Sequence, residues 1–314
     1  MLSYFFARLI ASLPVVLGVT IITFMLIQLL PGDAAEAIAG MGASPDEVRA
    51  TRERLGLDEP WHVQLGAWLW NLAQGDFGAS LTLNQPVLEA VVDRLPVTLS
   101  LTLMSLILIL PIGIGLGTVA ASFRNTWIDG TVMIVALIGV SLPVFWIAVL
   151  AVLYFSVNLG WVPSSGYTPL SEGFGPWFAS VALPSTVLAL FPIGFLARIT
   201  RSAMLEVLEQ DYIRSARAKG VGPVRLVLVH AFRNTLIQVV TATGIILSLL
   251  ISGAVVTETV FAMPGLGRLL VQGIFARDFP LVQGVLLIIA LTFVIINLIV
   301  DLIYSIVDPR VDFE

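Results

Sequence analysis

The sequence contains no cysteine, a single lysine (Lys219) and only two histidines, His62 and His230. Without cysteine there is no disulfide framework, no thiolate zinc site and no cysteine nucleophile. The histidines stand too far apart in the chain to indicate a metal pair by spacing. Charge is scarce as well, because 12% of the residues are charged and 58% are hydrophobic, whereas soluble domains carry about 25% charged residues. These figures predict an integral membrane protein.

Motifs for common catalytic chemistry are also missing from the sequence. A Walker A loop needs Gly-Lys-Ser/Thr, but the one lysine precedes Gly220, so this chain cannot bind ATP in that way. The sequence contains no G-x-S-x-G, no H-E-x-x-H and no paired carboxylates within an apolar run. We therefore predict that the chain is not an enzyme and holds no metal or cofactor of its own.

Ionisable residues at membrane depth are typical of proton pumps and of many ion-coupled carriers. The only candidates here are Glu258 and Asp301, both near the ends of apolar runs. Interfacial residues in contact with polar groups explain them better than a proton relay does.

Six apolar runs are long enough to cross a membrane, since about 20 helical residues span a hydrocarbon core of roughly 30 Å. The first run, Leu9–Leu30, could instead be a signal peptide cleaved near Ala37-Ile38-Ala39, but it is longer than the roughly 7–15 apolar residues of a signal. We expect an all-α protein with six transmembrane helices. The other five spans are predicted at 97–121, 132–157, 181–196, 236–256 and 281–304.

These spans divide the chain into residues 1–30 with the first helix, an extracytoplasmic segment at 31–96, and a core at 97–314. Within the extracytoplasmic segment, apolar residues recur at three- and four-residue spacing and form an amphipathic face. This pattern predicts a small helical cap on the membrane domain rather than a separate catalytic domain. The residues are Trp61, Leu65, Trp68, Leu69 and Leu72.

The basic residues predict the orientation. With the N-terminus inside, ten of the sixteen basic residues fall on inside segments and six on the outer segments, which are longer in total. The positive-inside rule therefore places both termini and the loop 198–235 in the cytoplasm. This loop holds Lys219 and six of the arginines.

Within this loop the sequence predicts a short helix between two longer ones. Acidic residues precede basic ones, which complements the helix dipole. Gly220, Gly222 and Pro223 are expected to end the short helix, and a second helix is expected from Val224. A loop that only set topology and touched anionic lipid would explain the charge but not this arrangement. The charged residues are Glu206, Glu209 and Asp211, then Arg214, Arg217 and Lys219.

The span at 236–256 carries a stripe of small and polar residues: Thr241, Gly244, Ser248 and Ser252. Small residues at this spacing are typical of close helix–helix packing. The wall of a translocation pathway is an equally open interpretation.

Several motifs resemble one known family. D-Y-I-R-S-A-R-A-K-G, from Asp211 to Gly220, and H-A-F-R-N, from His230 to Asn234, are similar to the cytoplasmic loop of ABC-importer permeases of the dipeptide/oligopeptide/nickel group. The wider family's Glu-Ala-Ala-x-x-x-Gly signature is matched only at Ala216 and Gly220. Further motifs resemble the B-type subunit of that group. They are L-P-G-D at Leu30–Asp33, L-G-L-D-E-P at Leu55–Pro60, G-D-F-G-x-S at Gly75–Ser80, E-T-V-F-A-M-P-G-L-G at Glu258–Gly267, R-D-F-P at Arg277–Pro280 and D-P-R at Asp308–Arg310.

The resemblance implies a type I ABC importer permease in a bacterial inner membrane. It implies a second homologous permease subunit, two cytoplasmic ATPases that bind ATP and Mg, and an extracytoplasmic substrate-binding protein, with membrane lipid around them and no nucleic acid. Di- and oligopeptides are the first expectation for the substrate, and nickel chelates, glutathione or oligosaccharides stay open. A secondary carrier or channel without ATPases is the alternative, disfavoured by the missing charges at mid-membrane.

The resemblance also implies roles for particular residues. The positions expected to couple to the ATPases are Tyr212, Arg214, Ser215, Ala216, Arg217, Ala218, Lys219 and Gly220. The positions expected at an extracytoplasmic gate or in contact with the binding protein are Glu258, Phe261, Pro264 and Gly265.

Overall fold

The structure is a computed structural model that describes residues 2–29, 35, 42–54, 56 and 58–307. These residues form helices and connecting segments, with an isolated antiparallel bridge between Ala79 and Pro86. The L-P-G-D and D-P-R motifs and the possible cleavage site at 37–39 lie outside the described residues. In chain order the helices are α1 (Leu2–Leu29), α2 (Pro45–Arg54), α3 (Trp61–Ala73), α4 (Val87–Ser122), α5 (Trp127–Ser141), α6 (Val144–Asn158), α7 (Phe174–Leu208), α8 (Asp211–Ala218), α9 (Pro223–Val260), α10 (Leu266–Phe275) and α11 (Phe279–Val307).

Four helices in the described part of the chain are long and apolar enough to cross a membrane on their own: α4, α7, α9 and α11. Helices α5 and α6 together form a fifth candidate. Helix α1 has 28 residues and corresponds to the first predicted span. The multi-pass, all-helical class is thus confirmed, and the count of six spans stays a prediction.

The third predicted span, 132–157, is wrong as a single helix. Helices α5 and α6 meet there at an angle of 97°. Leu142 and Pro143 separate them, with Pro143 at the cap position of α6. Proline has no N–H to donate and its ring clashes with the preceding turn, which breaks a helix. Pro184 and Pro192, in contrast, lie within the continuous helix α7.

Several helices extend beyond the predicted spans. Helix α4 begins at Val87, ten residues before the predicted span, and α7 continues to Leu208. Charged residues end an apolar run but not a helix, because the backbone hydrogen bonds continue through them. Both ends of the predicted loop 198–235 are therefore helical, and the boundaries of the membrane spans themselves stay predictions.

The chain forms two compact units. One contains the described residues up to Phe5, Val97–Met263 and the described residues from Ile295 on, and the other contains Phe6–Pro96 and Pro264–Val294. Residues 264–294, which the sequence-based division assigns to the core, thus group with residues 6–96. The division into membrane and extracytoplasmic parts stays a prediction.

In the first unit, α4 packs closely on α7. A Cβ atom at Gly113 would lie 2.9 Å from the Leu196 Cβ, and one at Gly117 would lie 2.5 Å from the Ala197 carbonyl oxygen. Such distances exclude any larger residue without a shift of one helix. This Gly-x-x-x-Gly pair therefore permits close helix packing.

In the second unit, a buried carboxylate joins two segments that are distant in sequence. Asp278 Oδ2 accepts hydrogen bonds from Ser80 Oγ (2.6 Å), Thr82 Oγ1 (2.8 Å) and the Thr82 N–H (3.0 Å). Asp278 Oδ1 accepts one from the Leu281 N–H at 3.2 Å, which caps the start of α11. The G-D-F-G-x-S and R-D-F-P motifs thus meet at one carboxylate.

Candidate functional site: the loop helix and its seat

The short helix predicted within the loop 198–235 is α8, and its end directs the chain into α9. The Gly220 N–H donates to the Arg217 carbonyl (3.0 Å), and the Val221 N–H donates to the Ala216 carbonyl (3.3 Å). This Schellman arrangement needs a left-handed residue just after the helix, and Gly220 has φ of +81°. Glycine adopts that conformation without steric cost.

Gly222 has a different role from the one predicted. It lies in extended conformation (φ −63°, ψ 152°) as the N-cap of α9, and Pro223 occupies the first helical position. Proline suits that position because its missing N–H would have no partner there. Gly222 therefore begins α9 rather than ending α8, and α9 starts one residue before the predicted Val224.

One side chain anchors α8 to the long helices of its unit. Ile213 is fully buried, in a cluster with Ala121 at the end of α4, Met204 in α7, and Leu226 and Ala231 in α9. A displacement of α8 must therefore open this cluster or move the helix ends that form it.

A hydrogen bond and a half-buried alanine also hold α8 against the rest of its unit. Asn234 Nδ2, on α9, donates to the Tyr212 hydroxyl (2.8 Å) and to the His230 carbonyl (3.0 Å). Ala216 is half-buried and packs on the Ile213 cluster. Ala218 is exposed, so of the two alanines only Ala216 packs within the chain.

Arg201 is held by a carboxylate within the chain. Its Nε donates to Asp129 Oδ1 (2.6 Å) and a terminal nitrogen donates to Asp129 Oδ2 (2.7 Å), and the Asn125 N–H also donates to Oδ2 at 3.1 Å. Such a bidentate pair is directional and strong. It ties the start of α5 to α7, so Arg201 is a structural residue of the loop.

The other cations are arranged differently. Arg214 pairs with Asp211 at 2.8 Å, and both side chains are largely exposed. Arg217, Lys219 and Arg225 are exposed and have no carboxylate partner among the described residues. Helix α8 thus buries one apolar side chain, and the cationic side chains on it and just after it are exposed on the surface of the chain.

Sequence reasoning missed Ile213, Val224 and Leu228. Ile213 is the one large aliphatic residue in α8, and that isolation was the available signal. Val224 and Leu228 are 70% and 56% exposed and stand four residues apart, so they share a face. They add an apolar surface at the start of α9.

The four residues of the predicted pathway stripe all lie on α9. Thr241 and Ser252 are exposed, and Gly244 and Ser248 are half-buried. A Cβ atom at Gly244 would lie 3.3 Å from Val300 Cγ1, so that position packs on α11. The hydroxyls of Thr241, Ser248 and Ser252 donate to carbonyls one turn earlier in α9. The pathway role stays a prediction.

The predicted gate residues are mostly buried. Glu258 and Phe261 are 0% and 1% exposed, Gly265 is buried and Pro264 is half-buried. Glu258 Oε1 accepts a hydrogen bond from Thr98 Oγ1 at 2.6 Å. A docking protein could touch Glu258 or Phe261 only after a rearrangement, and the gate role stays a prediction. The side chain of Asp301 lies outside the described part.

The chain has close relatives over its full length. It is 54% identical over 307 residues to a putative peptide transport system permease protein of Brucella abortus, covering 98% of each chain. It is 41% identical over 333 residues to a dipeptide transport system permease protein of Alkalihalophilus pseudofirmus, covering 100% of both. It is 40% identical over 314 residues to a glutathione transport system permease protein of Salmonella choleraesuis, again covering 100% of both.

A solved structure shares the fold. It shows inward-facing conformations of the MetNI methionine ABC transporter, with a TM-score of 0.59 and 23% identity over 70% of this chain and 97% of that one. Two family models match the sequence. Residues 113–313 match the binding-protein-dependent transport system inner membrane component, and residues 1–102 match the N-terminal part of such membrane components. The chain therefore belongs to the binding-protein-dependent transport system inner membrane components, the permease subunits of ABC importers.

Proposed function

We propose that this permease subunit forms, with a second homologous permease, the pathway for di- and oligopeptides. Two cytoplasmic ATPases supply ATP hydrolysis, an extracytoplasmic binding protein delivers the substrate, and both termini lie in the cytoplasm. The names of two relatives support peptides as the substrate. One is a putative peptide transport system permease protein at 54% identity, and the other is a dipeptide transport system permease protein at 41% identity. The glutathione relative at 40% identity keeps that substrate as the main alternative, ahead of nickel chelates and oligosaccharides.

The seating of α8 by Ile213 is the observation that supports a coupling role for 212–220. A helix buried on one side and cationic on the other suits a contact between the membrane helices and an acidic protein surface. Movement of that surface would displace α8, and the Ile213 cluster would pass the displacement to α4, α7 and α9. Val224 and Leu228 would extend the contact with apolar area.

Charge reversal tests the coupling role. The double substitution Arg217→Glu and Lys219→Glu changes two exposed cations, so folding should survive. We expect normal membrane levels with a loss of both uptake and substrate-stimulated ATP hydrolysis. The matched control is Arg49→Glu, at an exposed position of α2, which should leave both activities intact. Full uptake and stimulated hydrolysis in the double variant would rule out the coupling role.

Competition for uptake tests the substrate separately. With the binding protein present, di-, tri- and longer peptides should compete, and glutathione and nickel complexes should compete poorly. The reverse order would replace peptide as the substrate while leaving the coupling proposal standing. Transport by the purified subunit alone would instead support the alternative of a carrier without ATPases.

A further inference from the structure

Helix α3 exposes a continuous apolar stripe. Trp70 is 69% exposed, Val63 is 44% exposed, and Ala67 between them is exposed. These residues stand at positions i, i+4 and i+7, so they lie along one face. The sequence of α3 contains no charged residue, and none of its side chains is buried. Scattered apolar residues on a surface are ordinary, but a contiguous patch indicates a partner.

The opposite face of α3 packs within its own unit. Leu65, Leu69 and Leu72 are half-buried there. The Trp68 ring lies against Phe24 of α1, with the ring centroids 5.9 Å apart. Phe24 is itself buried. Helix α3 therefore lies alongside the C-terminal part of α1.

This contact sets the depth of α3, given the proposal that α1 crosses the membrane. The 28 residues of α1 make a helix about 42 Å long, which exceeds a hydrocarbon core of about 30 Å by roughly 6 Å at each end. Phe24 precedes the last residue of α1 by five positions, or about 7.5 Å. Phe24 and Trp68 thus fall near the outer edge of the hydrocarbon core, where tryptophan is enriched.

We propose that α3 lies in the outer membrane interface with the stripe Val63–Ala67–Trp70 in contact with lipid. Gln64 and Asn71, seven residues apart, flank the stripe and give the helix a polar side toward the headgroups. The abrupt change from the charged helix α2 to the uncharged α3 fits a chain that passes from water into the interface. Tryptophan on the exposed side of a helix at this depth is typical of the membrane interface.

Single cysteines can test this, because the native chain has none. Trp70→Cys and Val63→Cys, each carrying a nitroxide label, are placed in the assembled transporter in phosphatidylethanolamine/phosphatidylglycerol vesicles with cysteine-free partner subunits. Collision rates with oxygen and with a neutral nickel chelate give the depth of the label. Arg49→Cys on α2 is the water control, and Leu17→Cys, 52% exposed on α1, is the hydrocarbon control.

We expect the oxygen-to-nickel collision ratio at both stripe positions to lie several-fold above that of Arg49→Cys and below that of Leu17→Cys. A ratio equal to that of Arg49→Cys would place the stripe in water and overturn the inference. Low collision rates with both reagents would show a covering protein instead. A fall in oxygen access only after the substrate-binding protein is added would assign the stripe to that protein, which also overturns it.

One further label and the hydrocarbon control keep the test decisive. If Trp70→Cys prevents assembly, Ala67→Cys reports the same stripe with a small change in volume. If Leu17→Cys itself collides like a label in water, α1 does not cross the membrane. That result would remove the premise about α1 without bearing on the coupling role of α8.

Discussion

Replacement of Ile213 by alanine tests whether one buried side chain holds α8 in place. Ile213 is fully buried in the cluster that joins α8 to α4, α7 and α9. Removal of a buried aliphatic side chain of this size costs about 2–5 kcal/mol. Because each 1.4 kcal/mol is a factor of ten, the population with α8 unseated should rise at least roughly 30-fold.

A graded series separates packing from other effects. Ile213→Val should cost about 0.5–1.5 kcal/mol, which is a rise of roughly two- to twelvefold. Ile213→Leu keeps the volume and should cost less than about 1.5 kcal/mol. The reporter is Ala216→Cys, half-buried in the same cluster, whose rate of reaction with a maleimide follows the unseated population. The labelling rates should rise from Leu and Val to Ala.

Transport should follow the same order. If α8 passes movement to the long helices, uptake per ATP hydrolysed should fall as the labelling rate rises. An unchanged labelling rate in Ile213→Ala would show that Ile213 does not hold the helix. A raised labelling rate with unchanged uptake per ATP would separate the seating of α8 from coupling, and the mechanism proposed above would then fail.

Five other substitutions have definite expected outcomes. Gly220→Ser forces a side chain into a left-handed conformation, which costs about 1–2 kcal/mol. Gly222→Ser instead places a favoured N-cap residue in extended conformation. The rate of maleimide labelling at Ala216→Cys should therefore rise for Gly220→Ser and not for Gly222→Ser. Asp278→Asn weakens a set of charge-assisted hydrogen bonds worth about 1.5–3 kcal/mol each, so the melting temperature of the transporter should fall, and an unchanged melt would refute this. Arg201→Lys should lower the melting temperature less than Asp129→Asn, because lysine keeps the positive charge and loses only the bidentate geometry of the guanidinium. The reverse order would contradict the structural role given to the Arg201–Asp129 pair.

The sequence predicts the class of the fold because the rules that govern it are local. Apolar runs of about 20 residues and the uneven placement of arginine need no knowledge of tertiary contacts. Proline shows where local rules stop. Pro143 separates α5 from α6 at 97°, yet Pro184 and Pro192 leave α7 continuous. Whether a proline breaks a helix depends on the packing around it, and a short stretch of sequence does not show that packing.

The ends of α8 were predictable from the sequence, but its packing through Ile213 was not. Gly220 and Pro223 are strong stop and start signals, so α8 ends and α9 begins within a residue or two of the expected positions, whereas α9 continues to Val260, four residues beyond the predicted end of its span. Ile213 was missed because the cations around it dominate that stretch. The π-helical turn at Leu226–Ala231 was not predicted either, since an added residue in one turn leaves no repeating pattern.

The basic residues of the loop show the limit of composition most clearly. Their number predicts which side of the membrane they occupy, but it treats Arg201 and Arg217 as equivalent. In the structure, Arg201 is held by Asp129, 72 residues earlier in the chain. Arg217, in contrast, is exposed and has no carboxylate partner in the described part of the chain. Reversal of the charge at Arg201 should therefore lower the amount of folded protein, whereas reversal at Arg217 should leave that amount unchanged and act on transport. If the two variants lose folded protein equally, the distinction between structural and docking cations in this loop is wrong.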